Sequence, residues 1–175
     1  MLFPVDPVPD RLGHAVAEFY QVVTPRLFQD LEAARVLPAE SPGEAAGRAL
    51  REWECFALYA CVRGLVAAGG FGRATAASIE AFHDEVLSRG ALAPAEDPAP
   101  VSRRSLLSER YGEYGAIGQA GGKAGASTVS RRLGEAAARH MAPGAPPAEA
   151  LVELVSSLHE AMAEGAAETA RAAQG

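Results

Sequence analysis

The sequence predicts an all-α fold: one helical bundle of five to seven helices around a central apolar helix at about residues 50–68. Three observations carry that expectation. Apolar residues recur with helical period along most of the chain, and no segment alternates apolar with polar as a half-buried strand does. The run CFALYACVRGLVAA, Cys55 to Ala68, is apolar nearly all round, broken by Arg63 and Gly64. A helix apolar on every side belongs at the centre of a bundle, and this run is too short and too charged for a membrane span of about 20 residues. The third observation is size. With 175 residues, 49% apolar and 22% charged, the chain can bury one ordinary core.

The elements follow in order. Residues 1–10 hold Pro4, Pro7 and Pro9 and read as an extended arm, without the basic and apolar regions of a secretory signal. Residues 11–175 read as the domain. A first stripe joins Leu12, Val16, Phe19, Tyr20, Val23, Leu27 and Leu31, and Pro25 predicts a kink or break in it. VLPAESPGE, from Val36, is a loop. The second helix starts near Glu44 and ends at Gly69 and Gly70. The third enters between Ala74 and Ser78 and stops at Gly90. A Pro-rich connector leads to a fourth helix near Ser102, with Leu107, Tyr111 and Tyr114 on one stripe. Glycines 112, 115, 118, 121, 122 and 125 then crowd in; Gly118 with Gly122, and Gly121 with Gly125, stand four apart and point to close helix approach, or the segment is a flexible loop. A fifth helix runs from about Ser127 to Met141. The last starts near Pro147 and buries Leu151, Leu154, Val155, Leu158 and Met162. Its Ala-rich tail is expected to fray.

Charge bounds the partners. The net charge of -6 repels nucleic acid and anionic membranes. Residues 101–140 run against it. They carry Arg103, Arg104, Arg110, Lys123, Arg131, Arg132 and Arg139 against Glu109, Glu113 and Glu135, a balance of +4 that leaves -10 elsewhere. Such a face either attracts a small acidic ligand or pairs with acidic helices of the same fold. Cys55 and Cys61 stand six residues apart on one helix, about 9 Å, too far for a disulfide. Two thiols without a disulfide framework suit a reducing cytoplasm.

The chemistry-bearing candidates centre on IEAFHDEVLSRG. Glu80 and His83 share a helix face at i and i+3 and could reach one ion. Di-iron bundles use two Glu-x-x-His pairs, and no second pair occurs, since His14, His140 and His159 lack the preceding glutamate. Metal sites need three or four ligands, so Glu80 and His83 are weak metal candidates and neither metal nor cofactor is expected. If the third and fourth helices form a hairpin, ERYGEY lies opposite His83. Arg110 would then pair with Glu80, and Tyr111, Glu113 and Tyr114 would join them in a polar lock or a small pocket.

Other motifs are weaker. GQAGGKAGAS fails the phosphate-loop spacing, Lys123 is followed by Ala124, and no strand precedes it. TVSRRL, Thr128 to Leu133, resembles the start of the recognition helix in repressors of the lactose type. That resemblance implies a DNA-reading helix from Ser127, with Arg131 and Arg132 able to touch phosphates. The turn of that family is missing, because Lys123 and Gln119 stand at its glycine and small-residue positions. No nucleophile motif occurs. The expected function is therefore a non-enzymatic cytoplasmic binding or protein-interaction domain, partnered by another protein or by itself as a homodimer through glycine-lined or Ala-rich faces. The alternatives are a metal- or small-ligand-binding protein centred on Glu80 and His83, and a DNA-binding regulator.

Overall fold

The computed structural model describes residues 7–38, 44–92, 100–121, 125–144 and 146–175. These fold into six helices and no strand: α1 Pro7–Ala33, α2 Glu44–Gly69, α3 Arg73–Ser88, α4 Pro100–Ala120, α5 Ala126–Met141 and α6 Glu149–Gln174. The all-helical bundle expected from periodicity is what forms. The apolar run of α2 makes it the hub, touching each of the other five helices. Trp53, Phe56, Ala57, Ala60 and Cys61 have no exposed surface, and Leu58 and Leu65 almost none.

Small residues set how closely the neighbours approach. A Cβ on Gly64 of α2 would stand 2.6 Å from the Ala163 carbonyl of α6. One on Gly13 of α1 would stand 2.6 Å from the Ser78 carbonyl of α3. α2 and α6 run alongside in the same direction, Phe56 beside His159 and Gly64 beside Ala166. α1 runs against α6, with Phe19 at Gly165 and Arg11 at Gln174. α3 turns back from α2 through Gly70, whose φ of +71° suits glycine, and lies along α1.

Four expectations are revised. The arm does not reach residue 10: Pro7 to Asp10 form the first turn of α1, where a proline's missing N–H costs nothing; residues 1–6 lie outside the described residues. Pro25 does not break α1, which continues to Ala33. The alanine tail of α6 stays helical to Gln174, because Ala166, Ala167 and Ala170 are buried. α3 and α4 do not pack as a hairpin. α4 lies on α2 and α5, with no backbone contact to α3 among the described residues. Close approach does occur at the end of α4, where a Cβ on Gly121 would collide with Val129 of α5 and one on Gly118 would touch the Tyr59 hydroxyl, whereas Gly112 and Gly115 have open space beside them. Gly122 lies outside the described residues.

Candidate functional site

ERYGEY, Glu109 to Tyr114, sits in the middle of α4. Each helical residue turns by about 100°, so neighbours in this motif point in different directions. Arg110 turns to α2. Its Nε donates to Glu52 Oε2 at 2.7 Å and its Nη2 to Glu52 Oε1 at 2.9 Å. Both partners are buried, 8% and 6% exposed, and the fork raises the Arg110 pKa further, chiefly through these hydrogen bonds. Nη1 donates to Glu109 at 2.8 Å. Tyr111 turns to α3, its hydroxyl 2.7 Å from His83 Nε2. Glu113 turns to α5, with Oε2 2.6 Å from His140 Nε2 and Arg139 at 3.7 Å. Tyr114 enters the core, its ring 5.2 Å from Phe56 and 5.4 Å from Tyr59.

The protonation states follow from burial. Desolvation raises the Tyr111 pKa well above its usual value, so the phenol keeps its proton. Burial lowers the His83 pKa, against the opposing pull of Asp84 and the Ile79 carbonyl. A neutral His83 therefore accepts the Tyr111 proton at Nε2 and keeps its own on Nδ1, toward that carbonyl. His159 of α6 is more deeply placed. Its ring stacks on Phe56 at 3.9 Å, and neither nitrogen has a hydrogen bond of good geometry. Burial, helped by the charge of Arg63, drives its pKa well below the usual histidine value, although the Phe56 carbonyl favours the charged form slightly.

The six sequence candidates are thus distributed. His83 and Tyr111 meet. Arg110 takes Glu52 instead of Glu80. Glu113 goes to His140, and Tyr114 to the aromatic core. Glu80 is exposed and makes no hydrogen bond or ion pair among the described residues. The hairpin assumption caused the wrong pairing. Glu52 could have been found as an acid beside Trp53, at the edge of the most apolar helix. Glu54 behaves alike, accepting from the Leu92 N–H at 2.9 Å and from Arg103 at 3.3 Å.

A metal-type set lies elsewhere. Among the described residues, only His14, Glu18 and Glu85 bring three such ligand atoms within 4.8 Å of one another. His14 and Glu18 share a face of α1 at i and i+4, a spacing visible in the sequence, and Glu85 comes from α3. Their cation is already present. The Arg89 guanidinium joins Glu18 and Glu85, so this is a surface ion network.

An open hollow of about 560 Å³ lies over this network, lined also by Asp10, Arg11 and Ala81, and two smaller hollows lie elsewhere. A cleft of about 20 Å³ between α2 and α4, lined by Cys55, Leu58 and Leu107, has room for one water. A groove of about 210 Å³ opens at one end of the bundle. Leu12, Leu65, Ala68, Ala74 and Ala170 line it, with Thr75 and Ser78 on one side. The turn from α2 to α3 forms its rim and carries Phe71, 97% exposed between Gly70 and Gly72. Sequence reading passed over GGFG as a helix stop. Comparison with known protein families, curated proteins and solved structures finds no match for this chain.

Proposed function

We propose that this protein is a non-enzymatic, cytoplasmic helical interaction module whose partner docks on the bundle end that bears Phe71. The carrying observation is the exposure of that ring. A phenylalanine contributes about 1.5–3 kcal/mol when buried and nothing comparable when solvated. Phe71 gives the fold no such stability, yet it projects beside an apolar groove. An aromatic anchor next to a pocket is the arrangement that interaction hot spots use.

The polar side chains of α4 support the same reading from the other direction. Arg110, Tyr111 and Glu113 are each engaged by a different helix, so these three side chains do not converge as an acid, base and nucleophile. The two buried, free thiols fit a reducing compartment. Site-specific photo-crosslinking in cells from position 72, next to Phe71 and with open space beside it, tests the proposal. The expected result is a discrete adduct, lost in Phe71→Asp and kept in Val22→Asp, whose exposed valine lies on α1. No adduct, or an adduct indifferent to Phe71→Asp, would falsify it.

A further inference from the structure

The bundle end carries a protruding ring and an apolar groove. Phe71 is a knob, and the groove beside it is a hole. An apolar cavity of about 150 Å³ accepts benzene, so a groove of about 210 Å³ accommodates one phenyl ring. The groove is small for a drug-sized ligand, whose pockets begin near 300 Å³. It cannot take its own Phe71, which is 97% exposed at the rim. Charges are arranged to match. Arg73 is exposed two residues beyond the knob. Asp10 is exposed on α1, one residue from Pro9 of the groove wall. Neither makes an ion pair among the described residues. In a twofold dimer every contact occurs twice, so a knob seated in the partner's hole receives the partner's knob in return, and Arg73 facing the partner's Asp10 makes two such pairs.

Resting on the interaction reading above, we infer that the occupant of the groove is Phe71 of a second copy of this chain. The protein is then a symmetric dimer joined end to end. This surface differs from those that the sequence suggests for self-association. The Ala-rich face of α6 is consumed inside the bundle, and Gly112 and Gly115 of α4 lie on other surfaces.

Sedimentation equilibrium of the pure full-length chain tests this, from micromolar into the hundreds of micromolar. The wild type is expected to dimerise. Phe71→Asp should weaken the dimer about a hundredfold, since two rings are lost and each is worth roughly a factor of ten. Ala74→Trp, which plugs the groove from an exposed position, should do the same. Arg73→Asp and Asp10→Arg should each weaken the dimer, and together restore it. Phe71→Asp, Arg73→Asp and Asp10→Arg should melt with the wild type, because each altered side chain is exposed, and Ala74→Trp, whose ring fills the groove, should melt no lower. A wild type that remains monomeric overturns the inference, and so does a dimer indifferent to Phe71→Asp. A monomer that dimerises only after removal of residues 1–6 also overturns it for the intact chain. Monomeric protein that still gives the Phe71-dependent adduct from position 72 with another protein defeats self-association alone and leaves the interaction module standing.

Discussion

Glu52 and Arg110 carry opposite charges into a region nearly free of water, and the two parallel hydrogen bonds between them decide what their loss costs. Removing one member strands the other. Glu52→Ala is therefore expected to lower unfolding free energy by about 3–5 kcal/mol, whereas exposed Glu80→Ala should stay within about 0.5 kcal/mol. Denaturation followed by the single tryptophan, Trp53, measures both. Equal effects would mean that α4 is not fastened through Glu52. Histidines give the pH dependence. His159 and His83 have pKa values lowered by burial, so the unfolded chain binds protons that the folded chain refuses. Their contribution to stability is complete above about pH 6.5, the unfolded value, and declines as pH falls below it. Each group adds a slope of up to about 1.4 kcal/mol per pH unit until its folded pKa is reached. His159→Phe keeps the stack on Phe56 and removes two unpartnered nitrogens. It should be neutral or stabilising at pH 7 and should flatten the acid side of the profile. An unchanged slope between pH 6.5 and 5 would show that His159 is not buried in its neutral form.

Helix α2 was legible because its signal is large: fourteen consecutive positions with one charge admit no exposed face. Leu58 and Leu65 are 2% exposed, so Leu58→Asp or Leu65→Asp should cost several kcal/mol, or leave the chain unfolded. A midpoint within a degree or two of wild type would contradict the central position of this helix. The same burial pushes the Cys55 thiol up to about 12 and Cys61 upward as well. Both thiols should label slowly in the native protein and quickly after unfolding, as thiol titration would record. Other elements were less legible for physical reasons. Alanine carries so little apolar area that Ala163, Ala166, Ala167 and Ala170 look like a weak helix end. Their value lies in letting α6 come close to Gly64, which only the partner helix reveals. The position of α4 was hidden because its apolar stripe of Leu107, Tyr111 and Tyr114 does not say which helix it will meet. A sequence gives the residue types of ERYGEY but not the helices they will face, and three of its side chains face three different ones.

Across the molecule, the segment of +4 is less basic to a partner than its composition implies. Arg103 pairs with Glu54, Arg110 with Glu52, Arg131 with Glu149 and Glu135, and Arg139 with Glu113. Four of its seven cations thus already have carboxylates within 4 Å, while the net charge of the chain remains -6. Duplex DNA binding draws most of its affinity from phosphates that displace their counterions onto arginine and lysine. Arg131, which the repressor-like TVSRRL would direct to phosphate, is held by Glu149 at 2.6 Å and 2.9 Å. Its partner Arg132 is exposed on α5, too little alone to offset the surrounding acid. Fluorescence anisotropy with random duplex at physiological salt should therefore give a dissociation constant weaker than about 10⁻⁶ M, the tight end of ordinary nonspecific binding. Glu149→Gln releases one arginine and removes one negative charge. It should strengthen any residual binding slightly and increase its salt dependence by about one phosphate contact. Submicromolar binding by the wild type, with that steep salt dependence, would mean that the intramolecular pairs open to DNA and that the acidic total does not govern this surface.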